Sequence, residues 1–203
     1  MMLNELWTQY LKDSGADCVY FVDASSLPTD AAEEYTCAVL FGKALSKEYI
    51  IALRTGETPK RQEVHAVERK MERLAVNLAD KLEADGYKSV SKLKFARLPH
   101  KTVALKAGLG FIGKNNLLVS EKYGCALIFG KVLTAAPFAT VSVTPKEPQC
   151  GDCNICVDVC PTKSLLGKIW DVTTTRDEIM VRKLCIVCAK CIIWCPYTDQ
   201  YAK

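Results

Sequence analysis

The chain has 203 residues, of which 25% are charged and 49% are apolar, and its formal net charge is +4. This length allows one domain of ordinary size plus a small appendage, and the composition is typical of a soluble globular protein. The mild charge alone implies no nucleic-acid or membrane partner. We expect no signal peptide, because no basic and apolar leader opens the chain, and no membrane span, because no run approaches about 18 apolar residues.

The first elements follow from hydrophobic periodicity. Five apolar residues recur at helical spacing before Gly15, where the helix should stop: Leu3, Leu6, Trp7, Tyr10 and Leu11. The segments DCVYFVD and TCAVLF are short, apolar and rich in β-formers, and they predict strands. The segment EYIIAL, residues 48–53, fits either another strand or the end of a helix.

The clearest helix is predicted between an N-terminal signal at Thr58-Pro59 and a stop at Asp85-Gly86. Its apolar stripe should pack in the core and consists of Val64, Val67, Met71, Leu74, Ala75, Leu78 and Leu82. His65 lies beside this stripe and is expected at the surface. With a further strand in CALIFGKVL, residues 125–133, the mixture predicts an α/β or α+β domain over residues 1–145.

A glycine-rich segment, KAGLGFIGKNN at 106–116, matches two nucleotide-binding patterns superficially. A Rossmann loop follows a strand and opens a helix, whereas here a helical segment precedes and a strand follows. A P-loop has Ser or Thr where this chain has Asn115. Gly108, Gly110 and Gly113 more plausibly end a helix and let the backbone approach a flat or bulky group, with a tight turn that binds no ligand as the alternative.

The end of the chain carries two cysteine runs, CGDCNICVDVCP and CIVCAKCIIWCP, each with the spacing C-x-x-C-x-x-C-x-x-x-C-P. In bacterial ferredoxins the first three thiolates of such a run hold one 4Fe–4S cluster and the fourth binds the other cluster. Cluster one is therefore assigned Cys150, Cys153, Cys156 and Cys195, and cluster two Cys185, Cys188, Cys191 and Cys160. Pro161 and Pro196 should each start a short helix. Paired zinc sites and disulfides are the alternatives, but neither requires this duplicated run.

These runs predict a ferredoxin-like domain with two 4Fe–4S clusters over residues 146–203, in a reducing cytoplasm. Cys18, Cys37 and Cys125 fall in apolar segments outside the runs and are expected to be small buried hydrophobes. Between Gly86 and Ser120 the chain has no Asp or Glu and seven basic residues, which form either a solvated surface or the lining of an anion site: Lys88, Lys92, Lys94, Arg97, Lys101, Lys106 and Lys114.

The segment LPHKTVALKAGLGFIGKNNLLVSEKYG, followed by a strand and the two cysteine runs, resembles epoxyqueuosine reductase and its shorter double-cluster relatives. The resemblance covers about residues 98–198. It implies an N-terminal domain similar to the cobalamin domain of reductive dehalogenases, with a base-off cobalamin next to the clusters. The cofactor-binding residues that it implies are Lys101, Gly108, Gly110, Gly113, Lys114 and Asn115.

The chain also departs from that family. The Asp that the family uses as a presumed proton donor is replaced by Lys94, and a nearby Glu is replaced by His100. His100 is the best local candidate for a catalytic proton donor, because imidazole titrates near neutral pH; the alternative is that it caps or packs its helix. Because the chain departs from the family at these two acidic positions, we do not expect transfer RNA to be its partner.

The sequence therefore predicts a cytoplasmic iron–sulfur redox protein. Electrons from a donor such as ferredoxin or flavodoxin would pass through two clusters to a corrinoid. The alternatives are a non-catalytic electron carrier that docks on a partner enzyme, and a flavin-using redox protein on a related scaffold.

Overall fold

The computed structural model describes residues 3–28, 34–57, 62–91 and 98–203. The chain divides into two compact units. The first comprises Met1–Ala44, His65–Gly108 and Ile128–Thr144, and the second comprises Leu45–Val64, Leu109–Leu127 and Pro145–Lys203. The sequence predicts a single boundary at residue 145, whereas the second unit also includes two earlier segments. These segments join it because their side chains bind the cysteine-rich end, as described below.

The first unit contains a sheet that, among the described residues, has four strands in the order β1-β2-β6-β3. The strands are β1 (Cys18–Asp23), β2 (Cys37–Ala44), β3 (Ser89–Ser91) and β6 (Leu127–Thr134). β1 pairs antiparallel with β2 and β3 pairs antiparallel with β6. The strands predicted for DCVYFVD, TCAVLF and CALIFGKVL are confirmed, and β2 is buried over nearly its whole length.

Among the described residues, three α-helices accompany this sheet: α1 (Leu3–Asp13), α3 (Gln62–Ala84) and α4 (His100–Lys106). α1 buries Trp7 and Leu11 and ends just before Gly15, as its sequence predicts. All seven residues of the predicted α3 stripe are buried, because they form one face of a helix 23 residues long. The predicted start at Thr58-Pro59 lies outside the described residues, as do Lys92, Lys94 and Arg97 of the basic stretch.

The second unit is built from short elements. It contains the antiparallel pair β4 (Gly110–Ile112) and β5 (Leu118–Ser120) and the helix α2 (Lys47–Thr55). Residues 48–53, left open between strand and helix, are helical because the Ser46 hydroxyl accepts a hydrogen bond from the Tyr49 N–H and Gly56 ends the helix in a left-handed conformation. Four further helices follow within the cysteine-rich end: α5 (Ile155–Asp158), α6 (Arg176–Ile179), α7 (Lys190–Ile193) and α8 (Pro196–Ala202).

The two prolines that end the cysteine runs behave differently. Pro196 is the first residue of α8, as predicted. The prediction for Pro161 is wrong, because a turn follows it in which Lys163 has a φ of 51°. The backbone after Cys160 instead folds back on that thiol, whose sulfur accepts a hydrogen bond from the Ser164 N–H at 3.3 Å. No described helix combines the length and apolarity needed to cross a membrane.

Candidate iron–sulfur site

Four thiols of the second unit line one cavity of about 170 Å³: Cys150, Cys153, Cys156 and Cys195. Three come from the first cysteine run and the fourth from the end of the second run. Among the described residues, no three His, Cys, Asp or Glu side chains are close enough to share a single metal ion. The thiols instead surround a space. Both the donor set and the space fit a 4Fe–4S cluster, in which each iron takes one cysteine thiolate.

The thiols of this cavity lie in an environment that disfavours bare thiolates. Burial raises the pKa of Cys156 to about 11, with a further contribution from Cys150, Cys195 and Cys153. Burial also raises the pKa of Cys150, although the Lys114 backbone N–H and ammonium act in the opposite direction. Crowded, dehydrated thiolates repel each other, so they need a bound cationic group to remain deprotonated together.

Lys114 holds the loop that carries the first cysteines. Its ammonium donates to the Gly151 carbonyl at 2.8 Å, to the Cys153 carbonyl at 3.1 Å and to the Asn154 side-chain oxygen at 3.0 Å. Lys114 is only 6% exposed, so these three acceptors replace the water that a buried ammonium loses. The arrangement fixes the loop and places a positive charge beside the four thiols.

Asn115 connects both cysteine runs. Its amide nitrogen donates to the Cys125 sulfur at 3.2 Å and to the Cys191 carbonyl at 3.1 Å, and its amide oxygen accepts from the Leu117 N–H at 3.1 Å. The buried Cys125 thiol in turn donates to Cys195, which lowers the pKa of Cys195 and raises that of Cys125. A hydrogen-bonded chain from Asn115 through Cys125 therefore ends on one of the four cavity thiols.

The other four predicted ligands form a second neighbourhood. Burial raises the pKa of Cys191 to about 12, and the charges that also raise it belong to Cys156, Cys188, Cys185 and Cys160. Burial also acts on Cys160, but hydrogen bonds from the Ser164 N–H and from Thr162 outweigh it and lower the pKa of this thiol. Hydrogen bonds of this kind to sulfur are what tune iron–sulfur clusters in proteins.

The glycine-rich segment faces the cysteine-rich end. A side chain at Gly110 would meet the Val119 carbonyl at 2.0 Å, so only glycine allows β4 and β5 to approach. At Gly113 it would meet the Asn115 side chain at 2.8 Å and a Val119 methyl at 2.9 Å. These two glycines, with Lys114 and Asn115, thus contact the second unit's own chain.

A separate cavity of about 410 Å³ lies in the first unit and is lined by His100 and by parts of α3, β3 and β6. His100 is the first residue of α4, and its ring lies 6.5 Å from that of Phe129. Lys131, also in the lining, is buried and donates to the Leu98 carbonyl at 2.6 Å. Lys101 and Gly108 belong to this unit as well, and their roles as cofactor contacts stay predictions. His65, in contrast, is half exposed and bonded to Glu68, as expected for a surface residue.

Two residues of the second unit make contacts that the sequence does not reveal. Cys125 was expected to be a buried hydrophobe, and it is buried, but it also contacts the candidate ligand Cys195. The Arg54 guanidinium donates to the Ile193 carbonyl at 2.9 and 2.6 Å and to Asp199 at 2.8 Å. No local signal identifies Arg54, because its partners lie 139 and 145 residues further along the chain.

Comparison with known proteins identifies relatives of this arrangement. No family model matches the chain. Curated epoxyqueuosine reductases do match: that of Lactococcus garvieae strain Lg2 is 39% identical over 103 residues, or 51% of this chain and 28% of the relative. That of Listeria monocytogenes serovar 1/2a is 35% identical over 122 residues, or 53% of this chain and 31% of the relative. The match thus spans less than a third of these relatives' length.

Solved structures extend the likeness of fold over nearly the whole chain. The match to an epoxyqueuosine reductase from Bacillus subtilis covers 97% of this chain and 65% of that protein's chain, with a TM-score of 0.67 and 18% identity. The match to a reductive dehalogenase studied for B12-dependent dehalogenation covers 74% of this chain and 24% of that protein's chain, with a TM-score of 0.54 and 17% identity. The chain therefore has the mixed helix and sheet fold of these reductases and is related to a family of redox enzymes. Its sequence is similar to epoxyqueuosine reductases over about half of the chain, and its fold is similar to theirs over nearly all of it.

Proposed function

We propose that this chain is an iron–sulfur redox protein that carries electrons through two 4Fe–4S clusters. The observation that carries the proposal is the cavity of about 170 Å³ lined by Cys150, Cys153, Cys156 and Cys195. Cys185, Cys188, Cys191 and Cys160 would hold the second cluster. The crossing of ligands between the two runs is the pattern of two-cluster ferredoxins.

When bound, such clusters accept and release single electrons at low potential. The chain's own residues fix the conditions for this chemistry. Lys114 orders the loop of the first run and contributes a positive charge, Cys125 donates to the Cys195 sulfur, and Ser164 donates to the Cys160 sulfur. Phe111, Val119 and Tyr197 pack around the first site and exclude water from it. Each of these contacts stabilises added negative charge on the site or restricts its solvation.

The proposed acceptor of the electrons is a corrinoid, by analogy with the B12-dependent dehalogenase. Gly110, Gly113, Lys114 and Asn115 are packed against or bonded to the second unit's own chain. Their roles as corrinoid contacts stay predictions, as do those of His100, Lys101 and Gly108 in the first unit. The cavity beside His100 has a volume in the range of small-molecule sites, about 300–1,000 Å³.

The second candidate function is an electron carrier without chemistry of its own. The glycine segment favours it, since four of the six residues predicted to bind a cofactor have a structural role within the second unit. One structural neighbour was solved with an epoxyqueuosine-modified transfer RNA stem loop, but Lys94 and His100 stand at the two acidic positions of that family. Reduction of a modified transfer RNA is therefore not part of the proposal.

Anaerobic spectroscopy tests the proposal. The purified protein should contain about eight irons per chain and, after dithionite, show the EPR signals of two interacting clusters. Mononuclear metal, or iron at about half this content with one EPR signal, would contradict the proposal.

A second measurement tests the corrinoid. The EPR spectrum of cob(II)alamin added to the protein should change to that of the base-off form. An unchanged cobalamin spectrum beside normal cluster signals would reject the corrinoid and favour the carrier.

A further inference from the structure

One exposed segment of the second unit carries an unusual combination of side chains. All seven residues from 181 to 187 are exposed, and four of them are large and apolar: Val181, Leu184, Ile186 and Val187. Ile186 keeps 61% of its surface and Val187 keeps 49%. Single exposed apolar residues are ordinary, but a concentration of them marks an interaction site.

The same segment is positively charged. It contains Arg182 and Lys183, and the sequence has no Asp or Glu between residues 179 and 198. Within the described parts of the chain, neither of these two side chains forms an ion pair, whereas nearby Glu178 is already bound by Lys168 and Thr175. Both cationic groups therefore remain available to an incoming negative surface.

The segment also contains the candidate ligand that lies nearest to solvent. Of the eight cysteines in the two runs, Cys185 is the exposed one and the other seven are partly buried. Electrons tunnel best over short distances, so the exposed thiolate of a cluster is the natural point of entry. Exposed apolar side chains flank Cys185 on both sides in the chain, and the exposed Arg182 and Lys183 precede it.

We propose that residues 181–187 are the docking surface for a small electron-transfer protein with an acidic surface around its redox centre. This inference rests on the proposed function, because it takes Cys185 as a ligand of the second cluster. Opposite charge would steer the encounter, and the four apolar side chains would give the short-lived complex its contact area. One electron leaves the partner's redox centre, which is oxidised, and enters the second cluster, which is reduced; no bond forms and no proton moves.

Charge reversal tests the surface. We would measure by anaerobic stopped flow the second-order rate constant for reduction of the protein by a prereduced acidic two-iron ferredoxin. The double variant Arg182→Glu/Lys183→Glu should lower this rate constant by about tenfold or more at low ionic strength, because steering is lost. The wild-type rate should fall as salt is added, and the variant rate should not.

A control is Lys122→Glu, which makes, at an exposed lysine outside the segment, the same change of charge as each of the two substitutions in the double variant. It should change the rate constant by less than about twofold. Ile186→Ser removes apolar contact area without changing the charge. It should therefore weaken the affinity of the complex several-fold and leave the salt dependence of the rate constant unchanged. An equal effect of Lys122→Glu and the double variant, or a wild-type rate that does not depend on salt, would overturn the proposal.

Two further measurements separate this inference from the function on which it rests. Dithionite should produce the same cluster EPR signals in all variants as in the wild type. Absence of cluster signals in the wild type would defeat the proposed function itself, whereas normal signals with ferredoxin rates unaffected by charge reversal would defeat only the docking surface. Concentration-dependent sedimentation that Ile186→Ser abolishes would overturn the proposal in favour of a second copy of the chain.

Discussion

Lys114 combines a buried positive charge with three hydrogen bonds to the loop of the first cysteine run. Each acceptor is a carbonyl or amide oxygen, so the charge is solvated by the protein without being neutralised by an acid. A charge of this kind favours the more negative state of anything bound by the neighbouring thiols. The residue therefore connects the geometry of the loop with the electrostatics of the site.

Replacing Lys114 by Met keeps most of the apolar stem and removes the charge and the hydrogen bonds. We expect Lys114→Met to destabilise the second unit by about 3 kcal/mol, since the oxygens that it leaves lack donors. Iron content should fall from about eight toward about four per chain as the first site is lost. Lys114→Arg, which preserves the charge, is the control and should retain more iron. Full iron content in Lys114→Met, measured together with cluster EPR, would contradict the role assigned to this residue.

Cys125 illustrates how a buried thiol outside the ligand set can act on the site. Its S–H donates to the sulfur of Cys195, while Asn115 donates to Cys125. A hydrogen bond to a ligand sulfur stabilises the reduced cluster, because reduction adds negative charge there.

Cys125→Ala should therefore lower the reduction potential of one cluster by about 40 mV, the equivalent for one electron of a hydrogen bond of about 1 kcal/mol. Cys125→Ser retains a donor and should show a smaller shift. Potentiometric titration followed by EPR measures both clusters in one sample, so the cluster held by Cys185, Cys188 and Cys191 is the internal reference. An equal shift of both clusters, or no shift at all, would exclude the proposed contact.

At the scale of elements, the loop of the second cysteine run follows a backbone path that its sequence does not favour. Val187 and Ala189 have φ values of 52° and 63°, in the left-handed region where residues with a β-carbon are strained. In the first run the left-handed position falls on Gly151, for which this conformation carries no such penalty. The two loops therefore have the same cysteine spacing and different local backbones.

Ala189→Gly should relieve part of this strain and raise the free energy of unfolding of the holoprotein by about 1 kcal/mol. The same substitution at Ala66, an exposed residue inside α3, should lower it by about 1 kcal/mol, because glycine weakens a regular helix. Thermal unfolding followed by cluster absorbance gives the comparison. If both substitutions changed the free energy of unfolding in the same direction, the result would argue against strain at Ala189.

The elements also show which parts of the structure the sequence predicts. The α3 stripe and the main strands are predictable, because hydrophobic periodicity and β-propensity act within a few residues. The proposed cysteine ligands follow from spacing that is local to each run, and their role stays a prediction. The contacts of Lys114 and Asn115 with the cysteine runs are not predictable, since these partners lie 37 to 76 residues away and the glycine pattern resembles other binding loops. Residues 48–53 were ambiguous because a short apolar run fits a strand or a helix until the cap at Ser46 is known.

At the scale of the whole molecule, the two units differ in how much regular structure they contain. The first unit has the four-stranded sheet of the described residues and most of α3, both of which bury apolar side chains. In the second unit α5, α6 and α7 are four residues long, far below the length at which a helix is stable alone. We therefore expect the cysteine-rich end to depend on its proposed clusters for order, as small metal domains generally do.

Removing iron should consequently affect the two units unequally. After anaerobic chelation we expect backbone amides of residues 150–195 to exchange hydrogen rapidly, while those of β1 and β2 keep their protection, because the sheet has an apolar core of its own. Mass-spectrometric hydrogen exchange on holoprotein and chelated protein measures both segments together. Cys153→Ala removes one ligand of one cluster. It should therefore give hydrogen-exchange rates between those of the holoprotein and those of the chelated protein. Retained protection in residues 150–195 without iron, or loss of protection in β2 at the same rate, would mean that the clusters do not organise the second unit.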